Sequence, residues 1–202
     1  MKFKRSETEV KINVSFAAAV TCTLILDNSG VCAVALFCCL VHETAHILCM
    51  LAFGEKPSLV ELSFYGIKLE RKPMSSRRSD IPVYAAGPAA NLLMSAALSV
   101  VSRENENIKN AAVISLVIGL FNLLPCRPLD GGNILFEFLC RMTTEEKAEK
   151  ICDGAVYAIL VPMSLFGFAA ALEFGNVTLG GAALYLATVS FLDKKEKGSI
   201  KL

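Results

Sequence analysis

The chain has 202 residues, of which 54% are hydrophobic and 19% are charged, and its mean hydropathy is +0.53. This composition is too apolar for a soluble domain of this length, and it indicates a membrane protein. The net charge of +1 does not suggest the basic character on which nucleic-acid binding depends, so nucleic acid is not expected as a partner.

Apolar stretches recur along most of the chain, and a membrane-spanning helix needs roughly 17 to 25 such residues. In chain order, the predicted spans are 12–26, 31–53, 81–102, 110–124 with a broken continuation to about 140, 155–173 and 178–192. These spans leave no room for a separate soluble domain. We therefore expect one integral membrane domain, residues 1–202, with an all-α polytopic fold of about six transmembrane helices.

Between the second and third spans, residues 59–70 partly alternate apolar and polar side chains around Gly66. This alternation is typical of a hairpin or an edge strand. The sequence therefore predicts a short strand pair, a β-hairpin, on the cytoplasmic face.

The basic residues divide unequally between the two sides of these six spans. With a cytoplasmic N-terminus, cytoplasmic segments hold 18 of the 20 Lys and Arg residues, and the opposite side holds Arg103 and Lys109. Cytoplasmic loops beside membrane spans are enriched in Lys and Arg. Both termini are therefore expected in the cytoplasm, and no small-residue cleavage site follows the first span to indicate a removable signal peptide.

Eight cysteines lie mostly within or beside the apolar spans, without paired C-x-x-C spacing. This pattern argues against a zinc ribbon or a disulfide scaffold. We interpret the cysteines as small apolar side chains that pack between helices. Additional metal ligation by Cys39 or Cys49, which lie near the motif described next, is a weaker alternative.

The second span carries Val41-His42-Glu43-Thr44-Ala45-His46, an H-E-x-x-H motif. On a helix, two histidines four residues apart share one face, so both imidazoles can bind one zinc ion while Glu43 reaches the coordinated water. Zinc lowers the pKa of such a water to about 7, and a neighbouring carboxylate can take its proton. A chance match or a core histidine is the alternative, but these are the chain's two histidines and they lie where ionisable groups are costly.

Two histidines leave a catalytic zinc site incomplete, because such sites use three protein ligands and one open position. The candidate third ligand is Asp130, which follows the apolar run of the fourth span where Pro125, Pro128 and a glycine pair interrupt the helix. Irregular backbone at membrane depth is tolerated where it is buried in protein or lines a wet cavity. The alternative is an ordinary cytoplasmic turn at residues 129–131.

Three motifs in this order resemble the site-2 protease family of intramembrane metalloproteases. They are H-E-T-A-H at 42–46, A-G-P-A-A-N at 86–91 and N-x-x-P-x-x-P-L-D-G at 122–131. The resemblance covers residues from about 31 to 140. Without it, the small residues of the span at 81–102 would be interpreted as close helix packing alone.

The resemblance implies specific roles for the residues of these motifs. It implies one zinc ion per chain bound by His42, His46 and Asp130, with Glu43 as the catalytic residue and Asn122 and Asn91 as contacts for substrate or transition state. It also implies that the strand pair is a membrane-associated hairpin that presents substrate in extended form. The lipid bilayer and a membrane-tethered protein substrate are the expected partners.

Within that family, six spans with cytoplasmic ends are most similar to the branch of stage IV sporulation protein FB. The resemblance then implies a bacterial cell membrane protein that takes part in regulated intramembrane proteolysis, with a pro-sigma or anti-sigma factor as substrate. Other members carry a CBS or PDZ domain, whereas ten residues, 193–202, follow the last predicted span here. We therefore expect neither domain, and we expect regulatory membrane proteins to act in trans.

Two other classes of function use the same residues. A metal transporter or sensor would bind zinc without needing Glu43 as a catalyst, but it would place further ligands along a path, and the sequence offers none. An inactive scaffold would bind membrane partners, and the intact Glu43 argues against it.

Overall fold

A computed structural model describes residues 2–5, 8–27, 29–63, 66–71, 80–102, 105–127 and 129–200. The chain is predominantly helical, as predicted, with seven helices among these residues. They are α1 (Val14–Leu26), α2 (Val31–Ala52), α3 (Asp80–Val101), α4 (Glu106–Asn122), α5 (Asp130–Cys140), α6 (Glu145–Phe174) and α7 (Thr178–Ile200). Four strands accompany them: β1 (Lys2–Arg5), β2 (Thr8–Ile12), β3 (Pro57–Ser63) and β4 (Gly66–Arg71).

The strands form one sheet in the order β1-β2-β3-β4. Strands β3 and β4 pair antiparallel in the stretch where the sequence predicts a strand pair, although Phe64 and Tyr65 lie outside the described residues. Strand β2 runs parallel to β3, with Val10 opposite Val60, and α1 and α2 form the long crossover that a parallel pair requires. Strands β1 and β2 are not predicted from the sequence, and the predicted first span begins at residue 12, whereas α1 begins at Val14.

Three helices among the described residues are long and apolar enough to cross a membrane, namely α2, α3 and α6. Two shorter apolar stretches, Phe16–Ile25 and Thr178–Leu192, lie in α1 and α7. Large apolar side chains such as Phe37, Leu93 and Phe166 are exposed on these helices. Surfaces of this kind are unfavourable in water and suit a lipid environment.

The chain divides into two compact units, residues 1–122 and 123–202. In the first, α3 packs against both α2 and α4. Hydroxyl groups link α3 and α4, since Ser95 Oγ donates to Ala112 O at 2.8 Å and Ser115 Oγ donates to Asn91 O at 2.9 Å. The buried face of α2 holds side chains four residues apart, which are Cys38, His42, His46 and Met50.

In the second unit, α6 packs against both α5 and α7. A Cβ built on Gly167 would lie 2.7 Å from Gly180 N, so α6 and α7 approach as closely as small residues allow. Helix α6 ends at Gly175, whose φ of 64° suits glycine and closes the helix with backbone bonds to the last turn.

Candidate metal centre

The two imidazoles of α2 face one another on one side of the helix. His42 and His46 are 4% and 5% exposed, their ring centroids lie 4.8 Å apart, and the rings are inclined at 77°. Their Nε2 atoms lie 3.1 Å apart. Since residues four apart stack on one helix face, the local periodicity of α2 is sufficient to bring these two nitrogen atoms together.

The other ring nitrogen of His46 is held by α3. His46 Nδ1 lies 2.7 Å from the backbone carbonyl oxygen of Val83. A carbonyl oxygen only accepts, so Nδ1–H donates this hydrogen bond and Nε2 of the neutral ring keeps its lone pair. Histidines that bind metals are oriented in this way by a partner of the second nitrogen.

Gly87 of α3 leaves space beside both imidazoles. A Cβ built on Gly87 would lie 2.6 Å from His42 Nε2 and closer still to His46 Nε2. Any larger residue would therefore fill the region toward which the two nitrogen atoms point. This close approach explains why a glycine stands at this position of the A-G-P-A-A-N motif.

Asp130 lies in the second unit, as the first residue of α5, and is half-buried. The chain before it turns tightly, with Cys126 N donating to Leu124 O at 2.7 Å and Leu129 N donating to Cys126 O at 2.8 Å. Pro128, one of the residues on which the predicted helix break rests, lies outside the described residues. At the helix N-terminus, the carboxylate of Asp130 interacts favourably with the helix dipole.

The glycine pair after Asp130 packs against this turn. A Cβ on Gly131 would lie 2.6 Å from Leu124 O, and a Cβ on Gly132 would lie 2.6 Å from Cys126 O. Backbone atoms cannot move aside as a flexible side chain can. The two glycines are therefore required for α5 to begin directly beside the turn that precedes it.

His42 and His46 belong to the first unit and Asp130 to the second, and all three are residue types that bind zinc. Two imidazoles and one carboxylate, with a fourth position open, form a common donor set of catalytic zinc. The space beside Gly87 and the lone pair on His46 Nε2 suit the same ion. The two imidazoles and the carboxylate are residue types that fit zinc, and among the described residues Cys39 and Cys49 are not found as candidate ligands.

The remaining predicted site residues are placed as follows. Glu43 follows His42 on α2 and is half-buried, whereas Asn122 is the last residue of α4 and donates from Nδ2 to Ile118 O at 3.0 Å. Asn91 is fully buried, with its amide 3.4 Å from His42 Nδ1. The catalytic role of Glu43 and the substrate contacts of the two asparagines stay predictions.

Sequence reasoning missed the Val83 carbonyl and the steric role of Gly87. A backbone carbonyl carries no sequence signal, because every residue has one. The sequence signal for Gly87 is its place inside the A-G-P-A-A-N motif.

Comparisons with known proteins agree with this geometry. Residues 105–163 match the model of Peptidase family M50, a stretch that includes Asn122 and Asp130. The chain is 33% identical over 110 residues to putative zinc metalloprotease sll0528 of Synechocystis, covering 50% of this chain and 29% of that protein. It is 27% identical over 155 residues to putative zinc metalloprotease Rip3 of Mycobacterium tuberculosis, covering 69% and 39%.

A third relative, zinc metalloprotease MJ0392 of Methanocaldococcus jannaschii, is 26% identical over 180 residues, covering 82% of this chain and 52% of that protein. The chain thus spans 29% to 52% of the lengths of these relatives. The solved site-2 protease from the same archaeon has the same fold, with a TM-score of 0.70 at 22% identity over 95% of this chain and 94% of that chain. The chain is thus similar in sequence to zinc metalloproteases and similar in fold to a solved site-2 protease.

Proposed function

We propose that this chain is an intramembrane zinc metalloprotease that hydrolyses a peptide bond in or near a transmembrane segment of a membrane-tethered protein. The observation that carries the proposal is a pair of buried imidazoles on an apolar helix. Their Nε2 atoms lie 3.1 Å apart, and Gly87, which has no side chain, leaves space beside them. Ionisable side chains within a membrane span are costly and are kept there for function.

Each residue of the site has one role in this proposal. His42, His46 and Asp130 would hold the ion. Zinc, when bound, supplies Lewis-acid polarisation and a water acidic enough to act as a nucleophile near neutral pH. Glu43 would accept the proton of the attacking water and return it to the leaving amine nitrogen, while Asn122 would contact the substrate or the transition state.

The substrate must expose its backbone before it can be cleaved. A transmembrane helix satisfies its own carbonyl and amide groups, so local unwinding has to precede attack on the scissile carbonyl. Substrates with helix-weakening residues near the cleavage site should therefore be favoured. A tethered pro-sigma or anti-sigma factor, as in the sporulation branch of the family, is the substrate class that we propose.

The arrangement in the membrane belongs to the same proposal. Six spans in a bacterial cell membrane with both termini cytoplasmic would place 18 of the 20 basic residues on the cytoplasmic side. Strands β3 and β4 would then lie on that side as a membrane-associated hairpin. Regulatory membrane proteins acting in trans would control access to the site.

Co-expression with candidate tethered substrates tests this function, with Glu43→Gln compared with the wild type. Glutamine keeps the shape of the side chain but cannot take a proton, so cleavage should fall by roughly 10²–10⁴-fold while about one zinc stays bound per chain. Glu173→Gln, which changes an exposed glutamate of α6 in the same way, is the matched control and should cleave normally.

Two outcomes would contradict the proposal. Wild-type cleavage by Glu43→Gln would remove its proton-transfer role. Loss of zinc from that variant would make Glu43 a metal ligand, which fits a transporter or a sensor better than a protease.

A further inference from the structure

Asn91 is a buried polar residue that the catalytic roles above do not use. Its side chain is 0% exposed, and its amide nitrogen atom lies 3.4 Å from His42 Nδ1. Its Oδ1 atom is buried without a hydrogen-bond partner. Burying an amide oxygen in this way is unfavourable, so a native structure that keeps it requires an explanation.

The backbone of Asn91 is held firmly by α4. Ser115 Oγ donates to Asn91 O at 2.9 Å. A Cβ built on Gly119 would lie 3.2 Å from Asn91 Cβ, so α4 approaches this residue closely. The position of Asn91 beside the His42 ring is therefore fixed by packing, and rotation of its terminal amide is the remaining freedom.

The protons on the two imidazoles decide which way that amide faces. A neutral imidazole carries one N–H, so a ring that binds metal through Nε2 must carry its proton on Nδ1. His46 meets this condition, because its Nδ1–H donates to Val83 O at 2.7 Å. His42 can carry its proton on Nδ1 only if an acceptor lies beside that atom. An N–H group of the Asn91 amide in that place would repel the Nδ1–H group.

Asn91 Oδ1 is a buried acceptor in the same side chain whose amide nitrogen lies beside His42 Nδ1. The oxygen and nitrogen atoms of an asparagine amide are nearly equal in size, and their assignment follows from the hydrogen-bond network. Turning the amide by half a rotation brings Oδ1 to the place 3.4 Å from His42 Nδ1. In that orientation Oδ1 accepts a hydrogen bond from His42 Nδ1–H, and Nδ2 moves to the place that Oδ1 occupied.

We propose that Asn91 is a positioning residue, which accepts a hydrogen bond from His42 Nδ1–H through Oδ1 and so fixes the tautomer in which His42 presents Nε2 to the metal. This inference rests on the proposed zinc site, and this role takes the place of the substrate contact predicted for Asn91. Val83 and Asn91, both on α3, then orient the two histidines in the same way, one through a backbone carbonyl and the other through a side-chain oxygen.

Two substitutions separate the acceptor from the volume of the side chain. Asn91→Asp keeps the shape and the acceptor, whereas Asn91→Leu keeps a similar size and removes the acceptor. We expect zinc affinity of the full chain in detergent to fall by roughly 10- to 100-fold in Asn91→Leu and to stay within about threefold of wild type in Asn91→Asp. Asn110→Leu, which changes an exposed asparagine of α4, is the control and should bind zinc normally.

Nitrogen-15 NMR of ring-labelled histidine supplies a readout other than activity. The chain has two histidines, so two sets of ring signals are expected, and a His46→Gln variant assigns them. In the zinc-loaded wild type and in Asn91→Asp, His42 should show a protonated Nδ1 and a metal-bound Nε2. In Asn91→Leu, the Nδ1 signal of His42 should change while that of His46 stays as it was.

The inference is overturned if Asn91→Leu binds zinc as wild type does, or if the Asp and Leu variants lose affinity equally. It is also overturned if His42 of the wild type binds zinc through Nδ1, a result that does not depend on how well any variant folds. If the wild type binds no zinc at all, the proposed function itself fails, and the two failures are thereby distinguished.

Discussion

Gly87 of α3 and His42 of α2 approach so closely that a Cβ on the glycine would lie 2.6 Å from the Nε2 atom of the histidine. A methyl group at this position would occupy the space in front of both imidazoles. The sequence of α3 is therefore constrained by the two histidines of α2.

Gly87→Ala should consequently lose most of its zinc, because the added methyl group lies where the ion has to sit. Metal content of the purified chain measures this, with about one zinc per chain expected for wild type. Gly154→Ala is the matched control, since no atom lies within 4 Å of a Cβ built there and alanine favours a helix. Equal zinc in Gly87→Ala and wild type would mean that the ion binds elsewhere.

Asp130→Ala should lower zinc occupancy from about one per chain to near zero, as His46→Ala should, because a catalytic zinc needs three protein ligands. Asp153→Ala, which removes an exposed carboxylate of α6, should leave occupancy unchanged. Full zinc retention by Asp130→Ala would move the third ligand elsewhere, and Glu137 is the next candidate.

Asp27 supports the start of α2 from the short connection after α1. Hydrogen bonds from the Ser29 hydroxyl, the Cys32 amide and the Ser29 amide lower its pKa from 3.8 to about 2. Since the pKa is lower in the folded chain, the carboxylate stabilises the fold fully above about pH 4 and loses this effect as the pH falls toward 2.

Asp27→Ala should therefore lower the thermal unfolding midpoint in detergent at neutral pH, and the difference from wild type should shrink between pH 4 and 2. Circular dichroism over a pH series measures this difference. A difference that stays constant through that range would show that the side chain acts through something other than its charge.

The six-span arrangement predicts the side on which each connection lies. Reporter fusions at residues 28, 106 and 176 should report the extracytoplasmic side, because those connections hold few Lys or Arg residues. Fusions at residues 65, 147 and 200 should report the cytoplasm. A cytoplasmic signal at 106 would contradict six spans and would require one of the helices around it to lie outside the membrane.

The local part of the candidate site could be predicted from the sequence. Helical periodicity alone places His42 and His46 on one face, and the interruption before Asp130 marks where a helix stops and another begins. The alternation at 59–70 likewise predicts a strand pair there, because the two strands that pair, β3 and β4, are close together along the chain. In each case the relevant contacts join residues close together along the chain.

The pairing of β2 with β3 could not be predicted in this way. Glu9 lies opposite Leu59, and two helices separate these residues along the chain. A strand of five residues carries little signal of its own, and its partner depends on how α1 and α2 return the chain.

What the sequence determined by itself is the chemistry of the site: an apolar chain, two imidazoles one helical turn apart, a carboxylate between them and another at a helix break. Only the tertiary structure decided which groups hold those imidazoles, since Val83 and Asn91 lie 37 and 49 residues from their histidines. Helix periodicity fixes which side chains share a face of α2, but it does not fix which atoms of α3 meet that face. The atoms that meet that face depend on how α3 packs between α2 and α4. Gly87 and Gly119 allow these helices to approach closely, so the Val83 carbonyl and the Asn91 amide lie beside the imidazoles.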